Sequence, residues 1–192
     1  MTTLILVRHG ETDWNAQHRW QGHSDTELND AGREQARRLA EGLGRVDALY
    51  SSDLSRARET AEILAGTIGV EVRFDQRLRE RGFGAWEGLT TEEIESSFPD
   101  EQRRWRAGIG AGAHNAEPFE AFAARVGSFV EEIGQRHVGE EVLVVAHGGT
   151  IRVVHALAAG IDYVRDHRLI PAVANCSSSR YAFRGGRLSP ID

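Results

Sequence analysis

Two apolar runs without polar alternation stand out in the chain, and each is followed by a histidine. Residues 4–7 precede Arg8 and His9, and residues 142–146 precede His147. Uninterrupted apolar runs of this length are typical of strands that are buried on both faces of a sheet. In open α/β sheets, ligands bind outside the carboxyl ends of such strands. We therefore expect both histidines to face one crevice.

Helix-like and strand-like segments alternate through the first half of the chain. Apolar residues at helical spacing predict a helix between an N-cap near Asn29 and a stop at Gly44, and another over residues 55–67. Strand-like segments lie at residues 46–51 and 71–74. This alternation favours a mostly parallel sheet with helices on both faces. The sequence therefore predicts one α/β domain over residues 1–192, built as a three-layer sandwich.

The second half contains an irregular segment between regular elements. A long amphipathic helix is predicted over residues 119–133, a helix over 149–159, and a hairpin at Gly185 and Gly186. We interpret residues 82–118 as a lid-like insertion, with a flexible, unpacked glycine-rich loop from Ala107 to Ala113. Its aromatic side chains are expected to pack the base of that lid; they are Phe83, Trp86, Phe98 and Trp105.

Composition narrows the class of protein. The chain has 192 residues, 40% of them hydrophobic, which is ordinary for a soluble globular domain. No apolar run is long enough for a membrane span and no signal peptide is recognisable, so the expected location is the cytoplasm. A net charge of -6 argues against nucleic-acid or anionic-membrane partners. The single cysteine, Cys176, cannot form an internal disulfide, and the histidines lack zinc-type spacing, so no metal site is expected.

The residues that follow the predicted strands favour a phosphoryl group as ligand. Arg8 and Arg58 would supply permanently charged donor forks that match phosphate. The predicted helix that opens at Gly149 and Thr150 would add free backbone N–H groups. We therefore expect one pocket that binds a small phosphorylated metabolite.

A histidine in such a pocket can act as the nucleophile. His9 is neutral near pH 7 and can accept the phosphoryl group if its other ring nitrogen donates to a backbone carbonyl. Glu80 can protonate the leaving alkoxide and later take a proton from water. Arg8, Arg58 and His147 would stabilise the charge that builds on the transferred oxygens. This chemistry requires no metal and no cofactor.

Each of these residues also has a structural interpretation. A lone histidine at a strand end is more often a structural hydrogen-bonding group than a nucleophile. Arg58 could be a surface charge that pairs with Glu62 one helical turn away. Glu80 lies in the charged string of residues 77–81, which could be a solvated loop. The catalytic interpretation depends on the residues acting jointly.

Taken together, the motifs resemble the histidine phosphatase superfamily, also called the phosphoglycerate mutase-like family. The resemblance covers most of the chain, in the family's order. The motifs are Arg8-His9-Gly10-Glu11-Thr12, Trp14-Asn15, Gln21-Gly22, Gly32-x-x-Gln35-Ala36, Ser51-Ser52-Asp53-Leu54-x-Arg56-Ala57-x-x-Thr60-Ala61, Leu78-Arg79-Glu80, Gly84-x-Trp86-Glu87-Gly88 and Ala146-His147-Gly148-Gly149-Thr150.

The resemblance implies a role for each matched residue and a mixed, mainly parallel central sheet between helices. By this resemblance, His9 is phosphorylated, Arg8, Arg58 and His147 grip the phosphoryl group, and Glu80 is the proton donor. The remaining matched positions are expected to contact substrate; they are Asn15, Gln21, Gly22 and Gly148.

Within the superfamily the chain looks like a small phosphatase. The interval between Glu80 and His147 is short for a cofactor-dependent mutase, and mutases usually have asparagine where this chain has Gly149. Two other functions stay open, a cofactor-dependent phosphoglycerate mutase and a non-catalytic module that binds phosphorylated ligands. The physiological substrate is also open, as is the choice between a monomer and a homodimer.

Overall fold

The apolar run near the amino terminus forms a central strand of a six-stranded mixed sheet. A computed structural model describes residues 1–191. The strands are β1 (Thr2–Arg8), β2 (Ala48–Ser51), β3 (Val72–Phe74), β4 (Glu141–Ala146), β5 (Ser178–Arg184) and β6 (Arg187–Ile191). Their order in the sheet is β3-β2-β4-β1-β5-β6. The β1–β4, β2–β4 and β2–β3 pairs are parallel, whereas β5 runs antiparallel to β1 and to β6.

Helices cover both faces of this sheet. Within residues 1–191 they are α1 (Asp13–Ala16), α2 (Asp30–Gly42), α3 (Ser55–Ile68), α4 (Thr91–Ser97), α5 (Pro99–Arg106), α6 (Phe119–Arg136), α7 (Gly148–Ala159) and α8 (Tyr163–Asp166). Short 3₁₀ turns add Gln76–Leu78, Gly84–Trp86 and His167–Leu169. None of the helices in the described part of the chain has the length and apolar character needed to cross a membrane.

The alternation of side chains along the central strands separates the core into two layers. Leu4 and Leu6 of β1 point to the face that packs against α6 and α7. Ile5 and Val7 point to the opposite face, where α2 and α3 lie. Because successive residues of a strand face opposite sides, a strand that is apolar at every position must be covered twice. The predicted three-layer α/β sandwich is confirmed.

The parallel register brings several loop residues to one edge of the sheet. Arg8 of β1 lies opposite Ala146 of β4, and Ser51 of β2 lies opposite Val145. His9, Ser52 and His147 therefore follow three neighbouring strands at the same edge. The His9 and Ser52 N–H groups donate to carbonyls of β4, which holds these loops in register.

The segment over residues 82–118 is more regular than the sequence suggested. It contains α4 and α5 and forms its own apolar cluster around Trp86 and Ile94, both 1% exposed. Ala113 is buried in that cluster, and the Ala111 carbonyl accepts a hydrogen bond from Arg81. The interpretation of residues 107–113 as unpacked is therefore wrong at the end of this loop, because the aromatic rings form a core that the loop covers. The role of the segment as a lid stays a prediction.

Candidate active site

The two histidines that follow β1 and β4 meet at the edge of the sheet. The ring centroids of His9 and His147 are 5.1 Å apart. Both rings are buried, with exposed fractions of 3% and 0%. Adjacent parallel strands bring the residues after their carboxyl ends together, so the position of both rings follows directly from the β1–β4 pairing.

The His9 ring has a defined hydrogen-bonding direction. Its Nδ1 lies 2.6 Å from the Gly10 carbonyl oxygen, which can only accept, so Nδ1 carries a proton and donates. Burial, together with the charges of Arg56 and Arg8, holds the pKa of His9 well below its usual value. The ring is therefore neutral at neutral pH, with the lone pair on Nε2. Gly10 approaches α2 closely, since a Cβ there would lie 2.5 Å from the Gly32 carbonyl oxygen.

His147 lies at the N-cap of α7 and contacts Ser52. Its Nε2 is 2.9 Å from the Ser52 hydroxyl oxygen, which also accepts from the Leu54 N–H. The Ser52 hydroxyl can then donate to Nε2, which leaves the proton of a neutral ring on Nδ1. Burial and the positive charges of Arg56 and Arg8 hold the pKa of His147 well below its usual value. His147 therefore faces the site as a neutral donor.

Arg8 is half-buried and is held from the far side of the site. Its Nη1 donates to the Val173 carbonyl at 2.6 Å. Burial lowers the pKa of Arg8, but a guanidinium still remains charged at neutral pH. Its Nε is buried and has no hydrogen-bond partner within residues 1–191.

The second arginine of the site is Arg56, and the prediction for Arg58 is wrong. Arg56 is 1% exposed, and its two terminal nitrogens donate to the Ser24 and Gly22 carbonyls at 2.9 and 2.8 Å. Burial lowers the pKa of Arg56 to about 10, which still leaves it charged at neutral pH. Arg58 is exposed and lies over the Phe74 ring, 4.1 Å from its centroid.

Helix geometry explains this difference. Two residues turn about 200° around an α-helix, so Arg56 and Arg58 point to nearly opposite sides of α3. Arg56 lies one turn before Thr60, and both are buried. The Thr60 hydroxyl donates to the Arg56 carbonyl and accepts from the Gly10 N–H beside His9. The helical periodicity of α3 could therefore have identified Arg56 from the sequence.

Glu80 faces the start of α7. One carboxylate oxygen accepts from the Gly149 N–H at 2.9 Å, and the other accepts from the Arg81 N–H at 2.8 Å. A Cβ at position 149 would lie 2.1 Å from the Glu80 carboxylate, so only glycine fits there without movement. The carboxyl group is thereby held beside the helix terminus that carries Gly148 and His147.

The backbone around Glu80 is fixed by Arg125, which the sequence analysis missed. Arg125 of α6 donates to the carbonyls of Arg77, Arg79 and Glu80 at 2.7 to 2.8 Å. It also pairs with both carboxylate oxygens of Glu117. These contacts span more than 35 residues of sequence, and an arginine on an amphipathic helix has no local pattern that distinguishes it from a surface charge.

The predicted substrate-contacting residues surround the site to different degrees. Asn15 lines a cavity with Arg8, and its amide oxygen accepts from Asn175, whose Nδ2 also donates to the His9 carbonyl. Gly148 begins α7 and lies against Arg8. Gly22 contributes its carbonyl to Arg56, and the backbone there has a φ of 57°, which favours glycine.

Gln21 is the predicted contact whose amide is directed elsewhere. Its Oε1 accepts from the Thr26 hydroxyl at 2.6 Å, and the residue is 8% exposed. Its role as a substrate contact stays a prediction.

The arrangement around His9 is suited to an anion. Three buried donors have no partner within residues 1–191, namely Arg8 Nε, Arg56 Nε and His147 Nδ1. Buried donors are costly unless a hydrogen-bond acceptor satisfies them. Two of the three belong to cations, which attract an anion and repel a metal ion. No group of three or more metal-ligating side chains occurs among the described residues.

Comparisons with known proteins agree with this geometry. The family described as "Histidine phosphatase superfamily (branch 1)" matches residues 4–190. The phosphoglycerate mutase-like protein 4 of Arabidopsis thaliana is 42% identical over 81% of this chain and 70% of its own length. The phosphoserine phosphatase 1 of Hydrogenobacter thermophilus is 36% identical over 84% of this chain and 78% of its own length.

A solved structure is also similar along almost the whole chain. It is the mycobacterial glucosyl-3-phosphoglycerate phosphatase in complex with VO3, with a TM-score of 0.85 and 35% identity. The match covers 94% of this chain and 90% of that one.

Proposed function

Because this chain belongs to the histidine phosphatase superfamily, we propose that it hydrolyses small phosphorylated metabolites through a phosphohistidine at His9. The observation that carries the proposal is the set of three unpartnered buried donors, from Arg8, Arg56 and His147, around a neutral His9 ring. The names of related phosphatases in bacteria and plants support the same activity.

In the first step, His9 Nε2 attacks the phosphorus atom of the ester. The bond between phosphorus and the ester oxygen breaks, and Glu80 transfers its proton to the departing alkoxide. In the second step, Glu80 takes a proton from water, and the resulting nucleophile attacks the phosphohistidine. Inorganic phosphate leaves, and both His9 and Glu80 return to their starting states.

The cationic donors stabilise the transferred phosphoryl group. Charge is spread over its three equatorial oxygens in the transition state, and preorganised donors at those oxygens lower the barrier. Arg8 and Arg56 each supply an Nε–H, and His147 supplies Nδ1–H. Their other contacts hold them in place before substrate binds, because Val173, Gly22 and Ser24 carbonyls and the Ser52 hydroxyl occupy the remaining sides.

Trapping the intermediate tests this mechanism. The enzyme is mixed with a ³²P-labelled phosphomonoester, denatured in alkali and digested; the expected label is stable to base, labile to acid and carried by the peptide that contains His9. His9→Ala should abolish the label, whereas His114→Ala, an exposed histidine in the insertion, should retain it. An active enzyme with label on serine or aspartate, or with none, would overturn the phosphohistidine.

A mutase is the second candidate, favoured by the 42% identity to a phosphoglycerate mutase-like protein. The discriminating assay supplies 3-phosphoglycerate with and without bisphosphoglycerate. A phosphatase releases inorganic phosphate in both reactions. Efficient isomerisation that depends on bisphosphoglycerate and releases no net phosphate would replace the phosphatase proposal.

A further inference from the structure

A cavity of about 330 Å³ continues from the phosphoryl site toward α8. Arg8, Glu80 and Gly148 line its inner end. The outer part is bounded by Phe119, Tyr163 and the 3₁₀ turn His167–Leu169. Because Glu80 faces this space, the cavity is where the alcohol portion of a phosphomonoester would lie.

The cavity has an excess of positive charge. Four arginines line it, and Glu80 is the only acidic lining residue. None of the four forms a salt bridge within residues 1–191; they are Arg8, Arg81, Arg152 and Arg168. By contrast, Arg77 and Arg79 pair closely with carboxylates nearby. In a chain of net charge -6, this local charge calls for an anionic ligand.

Two of these arginines are occupied by the protein itself. Arg81 donates to the Glu117 and Ala111 carbonyls and lies 3.9 Å from the centroid of the Phe119 ring. Arg168 donates to the Trp105 and Arg106 carbonyls at the end of α5. Both therefore fasten the 82–118 insertion, and Arg8 belongs to the phosphoryl site.

Arg152 is the arginine with a free donor. Its Nη2 donates to the His167 carbonyl, whereas its Nε is buried with no partner among the described residues. Arg152 lies four residues after Gly148 on α7, so both residues share one face of the helix. The two positions are ~6 Å apart along the helix axis, a span that a three-carbon skeleton can cover.

We propose that Arg152 binds a second anionic group on the alcohol portion of the substrate. The substrate class is then a small phosphomonoester that carries a carboxylate or a second phosphate close to the ester oxygen. This inference rests on the proposed phosphatase activity and adds the chemistry of the leaving group. The aromatic walls limit water around Arg152, which strengthens its attraction for an anion.

Matched substrate pairs test the proposal. 3-Phosphoglycerate and glycerol 3-phosphate differ in having a carboxylate or a neutral hydroxymethyl group, and fructose 1,6-bisphosphate and fructose 6-phosphate differ by one phosphate. The wild-type enzyme should prefer the more anionic member of at least one pair by roughly ten- to a hundredfold in kcat/KM. The pair that shows the preference identifies the anion.

Three variants then assign the preference to a residue. Arg152→Gln should lower kcat/KM for the more anionic substrate much more than for its neutral partner, so that the preference collapses. Arg152→Lys keeps the charge and should retain part of it. Arg165→Gln removes a nearby exposed charge that does not line the cavity, and its preference should equal that of the wild type.

The outcomes separate this inference from the proposed function. Equal wild-type rates within both pairs, or a preference that survives Arg152→Gln, would overturn the role of Arg152 while leaving the phosphatase intact. Wild-type enzyme that hydrolyses none of the four esters and acquires no phosphate on His9 would remove the proposed function itself. The wild-type comparison needs no substitution, so the test stands even if one variant folds poorly.

Discussion

Replacing Arg56 and Arg58 separately gives the sharpest test of the site. The two residues have the same side chain and lie on the same helix, but only Arg56 points toward His9. We expect Arg56→Gln to slow phosphate ester hydrolysis severely and Arg58→Gln to leave it nearly unchanged. The pair isolates position on the helix from the loss of one positive charge.

The expected size of the Arg56 effect follows from its contacts. Its Nε is one of the three unpartnered donors of the site, and removing one preorganised donor to developing negative charge lowers kcat by ~10²–10³. Arg56 also makes two hydrogen bonds to carbonyls of residues 22 and 24. Loss of these bonds should destabilise the loop that they hold, so the free energy of unfolding should fall as well.

The Arg58 effect should be confined to stability. Arg58 is exposed and stacks on the Phe74 ring, a contact worth ~0.5–1 kcal/mol at such a site. Its kcat/KM should stay within about twofold of wild type, because surface substitutions away from the site leave the transition state untouched.

Steady-state hydrolysis of p-nitrophenyl phosphate provides the assay, with urea unfolding and circular dichroism for each variant. Arg56→Lys serves as a second variant that retains the charge if Arg56→Gln folds poorly. The reasoning fails if Arg58→Gln loses more than tenfold in kcat while a folded Arg56→Gln keeps wild-type turnover.

Four further predictions concern neighbouring groups. Glu80→Gln should lower kcat more than it changes KM, and an unchanged kcat across the pH range would remove Glu80 from proton transfer. Arg125→Met should lower kcat by roughly tenfold at similar KM, with partial recovery in Arg125→Lys, since a displaced acid transfers its proton poorly; an equal loss in both variants, or none, would contradict positioning by hydrogen bonding. Because the folded-state pKa values of His9 and His147 lie below the unfolded value of about 6.5, the unfolded chain takes up more protons below that pH; their contribution to stability should be complete above pH 6.5 and fall by up to ~1.4 kcal/mol per pH unit for each ring at lower pH. Urea titrations in which replacing both rings by glutamine leaves this slope unchanged would contradict it. Burial raises the pKa of the Cys176 thiol to about 11, so alkylation by iodoacetamide at pH 8 should be far slower than in the urea-unfolded chain, and equal rates would refute the burial.

The mixed fate of the sequence predictions has a physical pattern. Strand and helix periodicity predicted the three-layer sandwich, and the paired glycines predicted the hairpin between β5 and β6, where Gly185 and Gly186 adopt φ values of 56° and 77°. These features depend on local backbone preferences and on the burial of neighbouring side chains. Local rules also brought the two histidines to one edge, because each follows a buried strand.

The error at Arg58 came from matching motifs without applying the same periodicity to α3. Arg56 belongs to the buried side of that helix, next to Ala57 and one turn before Thr60, and the 3.6-residue repeat separates it from position 58. The information was present in the sequence, in the spacing of the buried residues.

Other parts of the site depend on contacts between distant segments. The sequence by itself determined the layers of the fold, the strands and the placement of His9 and His147, because hydrophobic periodicity is a local property of the chain. Only the tertiary structure decided that Arg125 holds the backbone of Glu80 and that Arg152 keeps a buried donor without a partner. A charged side chain on a helix looks the same in sequence whether solvent, a carboxylate or a cavity faces it, and the packing of remote elements makes that choice.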